Sequence, residues 1–154
     1  MLKKNNFMKQ KADLTLEQVE LAWNFANIVE NVDSSCVRQD FLGAYIHKDQ
    51  YNQDTEFGWC VEYILNQEFL NEHSTTGANI FCEANVRVLF IRNHLQNINE
   101  GAGNFSEYYI YDEIYGSNRF REIRQLSNIT QDCINELKKI YGLSDEVISL
   151  CIKK

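Results

Sequence analysis

Near the start of the chain, apolar residues return every three or four positions: Leu16, Val19, Ala22, Trp23, Ala26 and Val29. That spacing lines one face of a helix. Thr15 stands just before the run and Gln18 three residues later, the pairing in which two side chains satisfy each other's backbone amides at a helix start. A first helix over 16–31 is predicted, ended by Asp33-Ser34-Ser35. The pattern then changes. Residues 44–48 and 59–65 are rich in aromatic and β-branched side chains; the polar run 49–56 and Gly58 separate them, which predicts a β-hairpin. From 66 to 83 the chain is polar apart from Phe69-Leu70 and is broken by Gly77, so a long irregular connection is expected. NVRVLFIRNHLQNINEG, from Asn85, predicts a short extended lead-in and a helix that stops before Gly101. EYYIYDEIYG alternates loosely and predicts an edge strand or extended arm. Ile129, Cys133, Ile134, Leu137 and Ile140 form a last long helical stripe with Gly142 as its stop. Ser144-Asp145-Glu146 then opens a short helix carrying Val147, Ile148 and Leu150. The sum is an α+β fold without repeats or linkers.

Composition narrows the class. At 154 residues, 44% hydrophobic and 24% charged, the chain suits one globular domain with a sizeable core. No apolar run reaches the length of a membrane span, and the basic start MLKKNNFMKQKA lacks the apolar segment of a secretory signal. Residues 1–12 are expected to be a flexible basic tail and 13–154 a single domain. Net charge is −7; removing the +4 of Lys3, Lys4, Lys9 and Lys11 leaves −11 on the rest. An acidic body repels phosphates, which counts against nonspecific nucleic-acid binding. The five cysteines, Cys36, Cys60, Cys82, Cys133 and Cys151, form no CxxC pair. An odd, scattered set points to buried thiols in a reducing cytoplasm rather than a disulfide framework.

One segment carries more than architecture. DFLGAYIHKDQYNQDTEFGWCVEYIL, followed by NVRVLFIRNH and weakly by NFSEYY, resembles the bacterial HNH endonuclease domain over roughly residues 38–109, about half the chain. In that family an aromatic-rich strand and polar loop precede Gly-Trp-Glu-Ile-Asp-His-Ile, and an Asn-Leu-x-x-Leu-His-x-x-Asn-Asn segment follows. Gly43, Ala44, Ile46, Tyr51, Gly58, Trp59, Ile64, Asn85 and Leu89 match the framework. The resemblance implies a ββα-metal core, a hairpin plus helix, flanked here by an N-terminal helix and two C-terminal helices.

The chemical positions depart from the family. Its acidic metal ligand is here Glu62, its general-base histidine Tyr63, and the histidine of its second motif Phe90. Asn93 is kept, His94 fills the final ligand position, and Asn97 replaces a lysine. A general base must have a pKa near the working pH, whereas a phenol titrates near ~10. Losing such a base costs ~10²–10⁴-fold. An apolar ring at 90 cannot support a ligand shell, and Glu62 sets its carboxylate one methylene further out than Asp. The resemblance with these changes implies no catalytic residue, with Glu62 and His94 as the surviving pair that could meet a metal. No cofactor is expected; Mg²⁺ or Mn²⁺ would be the ion if cleavage were retained. Arg87 and Arg92, with Arg38 and Lys48, are candidate remnants of a phosphate groove, although exposed basic side chains are commonplace. His73 could replace the missing base only if its loop folded over the site; His47 looks like a polar strand end. Tyr108, Tyr109, Tyr111 and Tyr115 could stack on bases, form a protein-recognition strip or simply pack.

Three functions follow as expectations. The first is a non-catalytic HNH-like binding or regulatory protein with a protein partner. The second is a divergent metal-dependent nuclease, and the third a nucleic-acid-binding module that does not cleave.

Overall fold

The computed structural model describes residues 11–100, 104–127 and 131–152. Its first helix, α1 (Leu16–Phe25), starts as the sequence predicts. The Thr15 hydroxyl accepts the Gln18 N–H, and the Gln18 carboxamide accepts the Thr15 N–H, both at 3.1 Å. Its end differs. Ala26 is already extended, and Asn27 exchanges both backbone hydrogen bonds with Gln39, at 3.0 and 2.8 Å. Arg38 reinforces this early stop by donating to the carbonyls of Asn24, Ala26 and Ser34. A side-chain cation on the last carbonyls satisfies groups that another turn would have used.

The strands pair differently from the expected hairpin between 44–48 and 59–65. β1 (Val37–Gln39) pairs antiparallel with β2 (Tyr45–His47), while β3 (Trp59–Tyr63) pairs antiparallel with β4 (Val86–Phe90), in register from Trp59↔Phe90 to Tyr63↔Val86. The reason is local at one end and long-range at the other. Asp40 closes a tight turn by accepting the amides of Leu42, Gly43 and Ala44 at 2.8, 2.8 and 2.9 Å. Gly43 takes φ +110 there, a conformation that L side chains resist. β2 is thereby committed to β1. β4 is buried at all five positions, and an apolar strand of that kind needs a partner such as β3. β2 and β3 meet in the apolar core through Ile46 and Trp59 and are not strand partners; in the loop before β3, Phe57 O accepts the His47 N–H at 3.0 Å.

The connection read as irregular contains α2 (Gln67–His73), begun by Asn66 accepting the Phe69 N–H at 2.7 Å and burying Phe69 and Leu70. Fully buried Asn85 clamps the two ends of this excursion: it accepts the Leu65 N–H at 2.7 Å and donates to the carbonyls of Leu65 and Ile80 at 3.0 Å. α3 (Ile91–Glu100) follows β4 directly, as expected from NVRVLFIRNH.

β5 (Asn104–Asp112) is not a lone arm. It pairs with β6 (Ser117–Ser127) across a turn held by Gly116 at φ +67. α4 (Gln131–Tyr141) stops at Gly142, and α5 (Asp145–Ile152) follows, with the Ser144 hydroxyl accepting the Val147 N–H. Ile129 lies outside the described residues, as do the first ten residues of the expected tail. Lys11 and Ala12, however, belong to the body. The Lys11 backbone forms an antiparallel β-bridge with that of Glu62, and the N–H of Ala12, itself buried, donates to Val61 O at 2.6 Å.

Three apolar clusters hold these elements. Trp23, Trp59, Val61, Val88 and Phe90 join α1 to one face of β3–β4, with the two indole rings 5.2 Å apart. Leu65, Leu70, Leu137, Tyr141 and Ile148 join α2, α4 and α5. Leu42, Leu89 and Tyr108 fill the space beneath β5. The fold is mixed α+β, built on small antiparallel two-stranded sheets. No described helix is long and apolar enough to cross a membrane.

Candidate functional site

Side chains alternate across a strand, so Trp59, Val61 and Tyr63 share the face of β3 that packs on α1. Glu62 points the other way. The register puts Glu62 directly beside Arg87 of β4. Because α3 starts at the next residue after β4, its first turn brings His94 back over the same spot. His94 Nδ1 and Glu62 Oε2 lie 2.6 Å apart, with His94 3% and Glu62 0% exposed. The sequence-predicted metal pair thus meets, as a hydrogen-bonded couple.

Arg87 is also buried, at 3% exposure, with its guanidinium 4.6 Å from the Phe41 ring centroid. Burial pulls its pKa down, and the neighbouring Glu62 charge opposes that shift. Isolated buried charges cost several kcal/mol each, so opposite charges and hydrogen bonds must be supplied close by. His94 and Arg87 supply them to Glu62. At 3% exposure the guanidinium offers a phosphate chain little surface. Arg92, by contrast, is half-exposed and reaches Asp54 at 3.5 Å. The two predicted nucleic-acid contacts therefore differ in kind. Arg38 and Lys48 are likewise engaged, the former on α1 carbonyls and the latter on Glu20 at 2.7 Å.

Tyr63 does not join the pair. It is half-buried against the α1 face, and burial, then the charge of Asp13, pushes its phenol above the usual value. That is the wrong direction for a base. Phe90 is buried, with Tyr109 edge-on at 5.4 Å. Asn93 is tied up structurally: its Nδ2 donates to Asp40 Oδ2 and Tyr109 O, both at 3.0 Å, and its Oδ1 accepts the Tyr109 N–H at 2.6 Å. The side chain of Asn97 lies outside the described residues. His73 touches Glu72 and the Phe69 ring, and His47 stacks on Phe57 at 4.2 Å.

The tyrosine strip is dispersed. Tyr108 is buried, Tyr109 packs between Phe90 and Phe120, and Tyr111 stacks on Tyr45 at 3.7 Å. Tyr115 is 63% exposed, with Arg119 over its ring. The sequence predicts that most cysteines are buried; among the described ones Cys60 is buried, its thiol pushed well up by burial, Cys82 and Cys133 are half-buried, and Cys36 is exposed.

Sequence reasoning missed Asp40. It is 1% exposed, and besides the three amides of its own turn it accepts the Phe90 N–H at 2.9 Å and the Asn93 carboxamide. The Asp-x-x-Gly spacing at 40–43 signals such a turn; nothing local announces the partners from β4 and α3. A second unanticipated feature is a cleft of about 370 Å³ beside Val86 and Arg87, between Phe41 and α4.

Groups of three or more His, Cys, Asp or Glu arranged to hold a metal do not occur among the described residues. Comparison of the chain with family models, with curated proteins and with solved structures gives no match in any of the three.

Proposed function

We propose that this chain is a catalytically degenerate HNH-like protein that works as a binding or regulatory protein engaged with a protein partner. The observation that carries the reading is the buried 2.6 Å contact between Glu62 and His94. In the family that the sequence resembles, these two positions belong to a metal site. Two donors sharing one hard cation at ~2.1 Å and right angles stand about 3 Å apart. At 2.6 Å the carboxylate and imidazole are hydrogen-bonded to each other instead. The residues present do not fit the metal, and no step is routed through one. The bond fastens strand to helix where the family uses a cation.

Further support comes from chain order. β3 pairs with β4 and α3 follows β4 directly, with acid and histidine converging, a strand–strand–helix grouping compatible with a ββα core although α2 interrupts the connection between the strands. Tyr63 turns away from that convergence with its phenol held protonated. A framework can outlast the chemistry grafted on it. Nucleic acid is the weaker partner class, because Arg87 is buried and Arg92 is paired on an acidic body.

A supercoiled-plasmid assay with Mg²⁺ or Mn²⁺ tests the reading. No nicking above buffer is expected. Metal-dependent nicking that disappears in both Glu62→Gln and His94→Gln, each verified as folded by circular dichroism, would overturn it.

A further inference from the structure

The cleft beside β4 has two chemical halves. Phe25, Phe41, Ile64 and Val86 give it apolar walls. Glu83, from the turn before β4, and Asp132 and Glu136, from α4, line it with carboxylates. Asp132 and Glu136 stand four residues apart on one helix, where like charges repel. The dipole of α4 eases Asp132 in its first turn but does nothing for Glu83 across the cleft. None of the three makes an ion pair among the described residues, although Lys48, Arg92 and Lys138 are each paired elsewhere. Against the three acids the lining holds one cation, Arg87, which is buried beside Glu62, so the carboxylates, all exposed, leave the cleft net negative. Phe41, one of those walls, is 41% exposed and carries the Arg87 guanidinium against its ring.

The complementary group has a long apolar stem and a positive head, as in lysine and arginine, which lay their methylenes on apolar surface while the charge stays at the rim. The volume of about 370 Å³ lies at the small end of the ~300–1,000 Å³ typical of ligand clefts, suited to a few side chains rather than a folded surface. We infer that the cleft docks a basic segment of the protein partner, one that sets a Lys or Arg stem and an adjoining apolar side chain against Phe25, Phe41, Ile64 and Val86, with the cation on Glu83, Asp132 and Glu136. This rests on the non-catalytic reading above. It also explains how a chain with so acidic a body selects a basic partner: the carboxylates that repel phosphate attract the segment.

The test is fluorescence anisotropy with a labelled peptide alternating Lys or Arg with Leu and Phe, on the full chain at physiological salt. Glu83→Gln/Asp132→Asn/Glu136→Gln should weaken binding by about tenfold. The equal-charge control Glu30→Gln/Glu56→Gln/Glu72→Gln should leave it within about twofold. Equal loss in both variants, or undiminished binding of a peptide with Gln for its cations, would overturn the assignment. The full-length Lys3→Gln/Lys4→Gln/Lys9→Gln variant should bind as wild type does; a large gain in affinity would make the chain's own basic segment the occupant and overturn it too. Plasmid nicking on the same samples separates the two claims. Nicking with charge-selective peptide binding sinks the non-catalytic reading and keeps the cleft, whereas silence in both assays sinks the cleft alone.

Discussion

Two carboxylates are buried near the β3–β4 pair, and the protein neutralises them by different means. Glu62 is met by ionisable side chains, His94 at 2.6 Å and Arg87 across the strand register. Asp40 is met by dipoles: three amides of its own turn, the Phe90 amide and the Asn93 carboxamide. Both fasten elements together, Glu62 tying β3 to α3 and Asp40 tying the β1–β2 turn to the junction of β4 and α3. Side-chain charges can be exchanged as a set, because every member is encoded. Backbone amides cannot be mutated away, so any replacement at Asp40 must still satisfy them. The carboxylate that the family likeness highlights is therefore the more replaceable of the two.

The largest effect should come from breaking the encoded set at one member. Glu62→Ala leaves Arg87 buried beside an imidazole and should cost about 3–5 kcal/mol in urea unfolding at neutral pH. Replacing the set together, as Glu62→Leu/Arg87→Met/His94→Leu, should recover most of that loss, since well-packed apolar groups often match a buried ionic cluster. A triple variant as unstable as the single one would break the contrast and make the charges themselves the foundation of the fold.

Asp40→Asn comes next, at about 1–3 kcal/mol. Asparagine keeps one acceptor but aims an NH₂ at donors, leaving amides unsatisfied. The pH dependence carries a definite sign. Burial raises the folded pKa of Asp40, against the opposing pull of its hydrogen bonds. A carboxyl raised in the folded state contributes most below its unfolded value near ~3.9, and that contribution is lost as pH climbs through the folded value. Acidification through that window should therefore favour wild type relative to Asp40→Asn. A stability difference that stays flat with pH would show that the five donors cancel the burial cost.

What the sequence discloses divides along a similar line. Thr15 with Gln18, Gly142, Ser144 and the passage from strand to helix at 86–100 were legible because each depends on residues within a turn or so. No local pattern announces the meeting of Glu62 with His94, which lie 32 residues apart; in the sequence the two are paired only by what the HNH resemblance implies. Strand partnership was not legible. Period-2 pattern tells which face is buried but not which strand lies alongside, so 44–48 and 59–65 look like neighbours until β1 and β4 take them. α2 was hidden by its polarity, only Phe69 and Leu70 being buried in it. β6 was hidden by its charged residues: Arg119, Arg121, Glu122 and Arg124 interrupt the apolar alternation that marks a strand. Asp40 drew no attention because its deciding donors, Phe90 and Asn93, lie some fifty residues away.

The smallest effect belongs to Tyr63, whose neighbour in sequence is Glu62 but whose surroundings are those of the opposite face. Were Tyr63 part of the buried polar set, removing its hydroxyl would strand a partner and cost as other unsatisfied groups do. Among the described residues its contacts are those of a packed ring. Tyr63→Phe should therefore change stability by less than about 0.5 kcal/mol at neutral pH, the range of substitutions away from special features. Its signature should appear in alkali. Burial raises the phenol in the folded state, so the contribution of Tyr63 is fully present below its unfolded value near ~10 and is lost as pH rises through the folded one. As pH rises from ~10 through the folded value, the wild type should lose stability more steeply than Tyr63→Phe. A large neutral-pH loss instead would place the phenol in the Glu62 network and erase the distinction between the two faces of β3.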